Sequence, residues 1–109
     1  MHELGITEEI IDIVSRRVQG ARVRRIVLEI GKLSAVLPDA IRFCFEVCAQ
    51  DTELEGAELE ILEPPGQARC KECGALLALE QPFGRCACGN SDLEWLSGEQ
   101  LTIKTLELA

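Results

Sequence analysis

The stretch Cys-Lys-Glu-Cys-Gly at residues 70–74, followed by Cys-Ala-Cys-Gly at residues 86–89, is the part of the sequence that decides the fold. Four thiolates at this spacing suit one tetrahedral divalent ion, above all zinc. A site filled by four cysteines has no open position for water or substrate, so we expect a structural rather than a catalytic role. The sequence therefore predicts a zinc-binding module with the ligands Cys70, Cys73, Cys86 and Cys88.

The residues beside the cysteines support this prediction. A metal knuckle bends sharply after each pair, where Gly74 and Gly89 can take positive φ while their N–H groups point towards a ligand sulfur. Arg69 and Arg85 place positive charge beside the thiolates. The second pair has one spacer residue instead of two, which tightens its bite. The alternative is two disulfides or a redox pair, but we see no export signal at the start of the sequence.

Composition limits the remaining possibilities. A chain of 109 residues makes one ordinary domain, or a small core domain that carries a metal-stapled module. No apolar run approaches the roughly 20 residues needed to cross a bilayer, so we expect a soluble, cytoplasmic protein without a membrane partner. The net charge of −8 argues against binding to nucleic acid. Five arginines between residues 16 and 25 could meet an acidic protein or only solvate a helix end.

Hydrophobic periodicity predicts an α+β fold. Apolar residues at helical spacing predict a first helix over 7–18, with Thr7 as its N-cap and Gly20 beyond its end. Alternation predicts a strand over 22–30, and a second helix is expected to start near Pro38. Two further strands are predicted over 58–62 and 101–108.

The cysteine pairs lie between the last two of these strands. We therefore expect a small three-stranded sheet with two helices, interrupted by an inserted zinc-ribbon-like module. The domain boundaries that follow are 1–66 and 98–109 for the α+β domain and 67–97 for the module.

The sequence offers little for catalysis. His2 is the only histidine, and a Ser-His-acid triad built on it would have to hold its geometry at the chain terminus. Cys44 and Cys48 lie four residues apart on the second helix and could form a redox or metal pair, but small buried core residues are the simpler interpretation. We therefore do not expect an enzyme.

The opening Met1-His2-Glu3 has metal-binding potential of its own. The terminal amine, the His2 amide and the His2 ring nitrogen can fill three corners of a square plane. The amide or carboxylate of Glu3 could supply the fourth corner. Square-planar coordination by nitrogen and oxygen suits Ni(II) or Cu(II) rather than structural zinc, although any residue can follow an initiator Met.

Four features taken together resemble the HypA/HybF family of nickel-incorporation accessory proteins for NiFe-hydrogenase maturation. They are Met-His-Glu-Leu at residues 1–4, Ile-Gly-Lys-Leu-Ser at 30–34, Phe-Cys-Phe-Glu at 43–46 and the late cysteine pairs. The resemblance covers essentially the whole chain. The sequence departs from the family in its second pair, which is Cys-Ala-Cys where the family often has two spacer residues.

The resemblance implies a function as a nickel metallochaperone. It implies that His2 ligates Ni(II), that Glu3 completes the terminal motif, and that the four module cysteines hold zinc. It also implies two partners, a GTPase accessory protein and the large subunit of the hydrogenase. The main alternative is a zinc-ribbon adaptor without nickel chemistry, and a redox enzyme using the two helical cysteines is a more distant one.

Overall fold

A computed structural model describes residues 3–109 of the chain. Its two helices and six strands form two three-stranded sheets, with the strand orders β2-β1-β6 and β4-β3-β5. This arrangement confirms the predicted α+β class. The elements in chain order are α1 (Glu3–Val18), β1 (Val23–Ile30), α2 (Pro38–Cys48), β2 (Glu58–Leu62), β3 (Gly66–Cys70), β4 (Leu76–Leu79), β5 (Leu93–Ser97) and β6 (Leu101–Leu108).

The first sheet has β1 at its centre, flanked by β2 and β6. The two strands on either side of the cysteine segment therefore share one sheet, as expected from the sequence. Helices α1 and α2 pack together. The buried core of this part is aliphatic, with Val14, Ile26, Leu28, Ile41 and Leu54 almost completely shielded from solvent. An aliphatic core is what a chain with few aromatic residues must use.

The start of α1 differs from the prediction. The helix begins at Glu3, four residues earlier, so Thr7 lies inside it and is not its N-cap. The Thr7 hydroxyl instead donates to the Glu3 carbonyl oxygen at 2.8 Å, which satisfies the hydroxyl of a side chain that is only 1% exposed. At the other end, Gly20 takes a φ of +89°, and the predicted stop beyond the helix is confirmed.

The second sheet belongs to the cysteine segment. Strand β3 pairs antiparallel with both β4 and β5, and the β5 pairing has a register shift between Gln67 and Ala68. Side chains of this sheet form a small apolar cluster together with Leu33. The members from the sheet are Ala68, Leu77, Leu79 and Leu93. Leu33 reaches this cluster from the loop after β1. The segment thus has an apolar core of its own, although a small one.

The chain divides into two compact units. The first comprises the described residues up to Leu28, Val36–Ile61 and Thr102–Ala109, and the second comprises Glu29–Ala35 and Leu62–Leu101. Residues 29–35 therefore belong to the unit that contains the cysteines, although they lie outside the span 67–97 that the sequence predicted for the zinc module. The assignment of nickel and zinc to separate domains stays a prediction. Within residues 3–109, neither helix has the length and apolar character that crossing a bilayer requires.

Candidate metal centre

The four module cysteines converge at one point in the second unit. Their sulfur atoms all lie within 4.8 Å of one another. Cys70 Sγ is 3.6 Å from Cys88 Sγ, and Cys73 Sγ is 3.5 Å from Cys86 Sγ. Tetrahedral zinc with bonds of about 2.3 Å would hold its sulfurs about 3.8 Å apart, so the cluster matches that ion closely. All four cysteines are free thiols, so the alternative of two disulfides is not what the structure forms.

Each cysteine pair is followed by a glycine in the left-handed region. Gly74 has a φ of +77° and Gly89 a φ of +95°, as the knuckle interpretation requires. Their N–H groups, however, donate to backbone oxygens: Gly74 to Cys70 at 2.9 Å and Gly89 to Cys86 at 2.8 Å. The expectation that these N–H groups point at sulfur was wrong, because the turn closes on the carbonyl of the first cysteine. The sulfur of Cys70 is contacted instead by the Cys73 amide, at 3.5 Å.

Asn90 is a part of the site that the sequence analysis missed. Its side-chain Nδ2 donates to Cys70 Sγ at 3.4 Å and to the Asp92 carbonyl at 2.9 Å. Its Oδ1 accepts from the Asp92 amide at 3.2 Å, and its own carbonyl accepts from the Cys86 amide at 2.9 Å. One residue thus links a sulfur of the first pair to the backbone of the second. The signal in the sequence was a Gly-Asn step directly after the second pair, which is typical of a turn.

These hydrogen bonds shift the pKa values of Cys70 and Cys88 in opposite directions. Donors from the Cys73 backbone and the Asn90 side chain lower the pKa of Cys70 to about 6. At Cys88, a hydrogen bond from the Asn90 backbone lowers the pKa, but bonds shared with Cys70 and Cys86 outweigh it and raise the pKa to about 12. One thiolate therefore makes its neighbours harder to ionise. A divalent cation would offset this repulsion between neighbouring thiolates, because it favours the thiolate form of all four ligands.

The site combines two buried and two exposed ligands. Cys70 and Cys86 are buried, whereas Cys73 and Cys88 are exposed, so the cluster lies at the surface of its unit. Arg85 supports the second knuckle by donating to the Gly89 carbonyl at 2.8 Å. Arg69 is engaged in an ion pair with Glu94 at 3.5 Å. The positive charge expected from Arg69 is therefore partly balanced by Glu94.

The four cysteines would hold a zinc ion, and its chemistry there would be structural. The donor set is complete with four sulfurs, which leaves no open position for catalysis. A bound ion would tie β3 and its following turn to the segment between β4 and β5. A zinc site of this kind can supply much of the folding free energy of a small unit.

The terminal motif reaches the described part of the chain only at Glu3. Met1 and His2, the other predicted nickel ligands, lie outside the described residues. Glu3 is half-buried at the start of α1, and its Oε2 accepts a hydrogen bond from the Leu37 amide at 3.1 Å. The carboxylate is thus anchored to the segment before α2. Its role in nickel binding stays a prediction.

Cys44 and Cys48 lie on the stripe of α2 that was predicted to face the core, but they are less buried than that interpretation implies. Ile41 and Phe45 of the α2 stripe are buried, whereas Cys44 and Cys48 are half-buried. Burial raises the pKa of the Cys48 thiol, with smaller contributions from Glu8 and Cys44. A thiol held in its neutral form is a poor nucleophile, which does not favour the redox alternative.

Comparison with known proteins assigns the family. The model of the hydrogenase/urease nickel incorporation and metallochaperone family HypA matches residues 1–108. The hydrogenase maturation factor HypA of Trichormus variabilis is 60% identical over 108 residues, which cover 99% of this chain and 96% of the relative. The corresponding factor of a Nostoc species is 58% identical over the same number of residues and the same shares of both chains.

A solved structure shares the fold. The solution structure of the Ni metallochaperone HypA from Helicobacter pylori has a TM-score of 0.64 and 21% sequence identity, over 99% of this chain and 97% of that one. At this identity the likeness supports the architecture alone. The family match and the close relatives carry the assignment, and they confirm the resemblance on the sequence. This chain belongs to the HypA family of hydrogenase maturation factors and nickel metallochaperones.

Proposed function

We propose that this chain binds Ni(II) at its N-terminus and helps to deliver it to the large subunit of a NiFe-hydrogenase. The nickel ligands are the Met1 amine, the amide and ring nitrogen of His2, and Glu3. The GTPase accessory protein of the same maturation pathway cooperates in the transfer. Zinc on the four module cysteines is structural and stays in the protein, whereas nickel is the cargo.

The observation that carries this proposal is the family match, which begins at residue 1 and includes the terminal motif. The chemistry of the terminus agrees with it, because nitrogen and oxygen donors in a plane suit Ni(II), while four sulfurs in a tetrahedron suit zinc. The hydrogen bond from Leu37 to Glu3 also supports it, since this bond fixes the carboxylate of the third residue. Two sites with different donor sets let one protein hold two metals without exchange.

Isothermal titration with nickel tests the proposal, on zinc-loaded protein whose native Met1 is the first residue. His2→Ala should abolish tight nickel binding because it removes the ring nitrogen. Adding the five residues Gly-Ser-Gly-Ser-Gly before Met1 should do nearly the same, because the terminal amine is then too many residues from the His2 ring for both to share one square plane. The matched control carries the same five residues after Ala109 and should leave nickel binding unchanged. Zinc content, measured by elemental analysis, should be equal in all four proteins.

Two outcomes would contradict the proposal in different ways. Normal nickel binding by the protein with the five-residue N-terminal extension would show that the amine is not a ligand, and the coordination would need another donor. Normal nickel binding by His2→Ala, or no nickel binding by the unmodified protein, would favour the alternative of a zinc-ribbon adaptor.

A further inference from the structure

Cys44 and Cys48 form a second group of thiols, separate from the four module cysteines. Both lie in α2, which runs from Pro38 to Cys48, and they are four residues apart. Residues at this spacing are neighbours on one face of a helix, with Cβ atoms about 5–6 Å apart. Both thiols are free and half-buried, so a small molecule can still reach them. The function proposed above uses neither of them.

The pair lies at the boundary between the core and an apolar surface. Ile41 and Phe45 of the same helix are buried. Phe43 and Val47, which directly precede the two cysteines, are 70% and 55% exposed. A ligand that approaches from solvent therefore meets apolar side chains beside the thiols. This setting suits a small apolar molecule better than a hydrated ion, which would have to give up its water.

Helix geometry keeps the two sulfur atoms from bonding directly to each other. A disulfide requires Cβ atoms about 3.5–4.5 Å apart. That distance is shorter than the separation of about 5–6 Å that the helix imposes at this spacing. A single atom inserted between the two sulfurs supplies the missing length. The pair is therefore arranged to hold a thiophilic atom between its sulfurs and not to form a disulfide.

The surroundings of the pair decide which thiophilic atom fits. Burial raises the pKa of the Cys48 thiol, and Glu8 of α1 and Cys44 raise it further. Cys48 is also the last residue of α2, where the helix dipole disfavours negative charge. Two thiolates on Cu(I) would leave a net negative charge here, whereas two thiols condensed with trivalent organic arsenic give a neutral product. Within residues 3–109, no third ligating side chain lies close enough to the pair to build a zinc site.

We propose that Cys44 and Cys48 bind a trivalent organic arsenical through both sulfur atoms. Hydrated phenylarsine oxide carries two hydroxyl groups on arsenic. Each thiol forms one As–S bond as one As–O bond breaks, and its proton leaves with the hydroxyl group as water. Two water molecules are released in total, and arsenic stays trivalent. The phenyl group then lies on the apolar surface of Phe43 and Val47. This site does not depend on nickel binding, so its test is separate from that of the proposed function.

Titration of the zinc-loaded full chain with phenylarsine oxide tests the proposal. We expect intact-protein mass spectrometry to show one arsenical per chain, with the loss of two titratable thiols and no zinc released to a colorimetric indicator. X-ray absorption at the arsenic edge should show two sulfur neighbours. The adduct should survive excess 2-mercaptoethanol but yield to dithiothreitol, because only a dithiol competes with a chelate.

Variants of α2 test the pairing of the thiols. Cys44→Ser and, independently, Cys48→Ser should each weaken binding about 100-fold or more, because the second As–S bond is lost. The matched control keeps two thiols but separates them. In the double variant Cys48→Ser/Glu46→Cys they lie two residues apart, and residues at that spacing do not face each other on a helix. This variant should bind as weakly as the single variants, with the same helix content by circular dichroism.

Three results would overturn the proposal. Tight binding by the separated-thiol variant would mean that the two sulfur atoms do not act as a pair. Zinc release in proportion to arsenic uptake would place the arsenical on the four-cysteine cluster. No uptake by the unmodified protein would show that the two helical thiols are too shielded to react.

Discussion

Leu33 donates its backbone amide to the carbonyl oxygen of Gly98 at 2.8 Å. The neighbouring Lys32 amide donates to the Pro64 carbonyl at 3.0 Å, and the Leu33 side chain packs so closely on Gly66 that a Cβ there would collide with it. Leu33 is only 3% exposed. The loop after β1 is therefore a structural part of the unit that carries the four cysteines. Its hydrogen bonds reach the residues just before β3 and just after β5.

Leu33→Ala should destabilise the cysteine unit by about 2–5 kcal/mol, because it truncates a buried leucine in a very small core. Trp95 in β5 is the only tryptophan of the chain, so its fluorescence during urea unfolding reports on this unit. Leu76→Ala is the matched control: Leu76 is 70% exposed in the same unit, and its loss should cost less than about 0.5 kcal/mol. Equal urea midpoints for the two variants would mean that Leu33 does not support the unit.

Purified protein should contain about one zinc per chain, with only sulfur ligands at about 2.3 Å in X-ray absorption. Cys70→Ser should lose most of this zinc and unfold the β3–β5 sheet, while α1, α2 and the first sheet remain protected in hydrogen exchange. Cys44→Ser, at a half-buried cysteine outside the cluster, should keep the metal. Zinc retained in full by Cys70→Ser would argue against the tetrathiolate site.

Asn90→Ala should weaken zinc binding about 10- to 100-fold without removing a ligand, since it deletes the donor to Cys70 Sγ. Competition with a chromophoric chelator measures the affinity. Asn90→Asp is an informative companion, because a carboxylate can accept from the Asp92 amide but cannot donate to sulfur. If both variants bind zinc as tightly as the unmodified protein, the contact to Cys70 has no energetic role.

The stability of the first sheet should depend on pH through Glu107. Hydrogen bonding to Arg24, with a further contribution from Arg25, lowers the pKa of Glu107 below its usual value of 4.5. The folded state therefore favours the carboxylate, and this stabilisation is present above about pH 4.5 and disappears as the pH falls through the lower, folded pKa.

Glu107→Gln should accordingly reduce the free energy of unfolding near neutral pH and should matter progressively less as the pH falls below 4.5. Urea unfolding monitored by circular dichroism over this range measures the difference. Glu46→Gln, at an exposed position of α2, is the control and should show no such trend. A Glu107→Gln difference that stays constant with pH would point to packing and not to charge.

Local patterns predicted most of the elements. The strands over 58–62 and 101–108 and the second helix from Pro38 form where the sequence predicted them, because alternation and helical spacing depend only on near neighbours. The cysteine spacing predicted the cluster, since the short turn within each pair places its two sulfur atoms close together. The start of α1 was missed because a buried threonine that bonds within the helix resembles an N-cap in sequence.

The sequence by itself determined which residues face a core and which four cysteines can share an ion, because both follow from spacing along the chain. Only the tertiary structure decided which residues distant in the sequence contact one another. Arg25 bonds to Glu60 and Glu107 across the strand order β2-β1-β6, Leu33 enters the core of the cysteine unit, and Asn90 reaches Cys70. Periodicity indicates that a side chain is buried or paired but does not specify its distant partner, which is fixed when the strands select their neighbours and register.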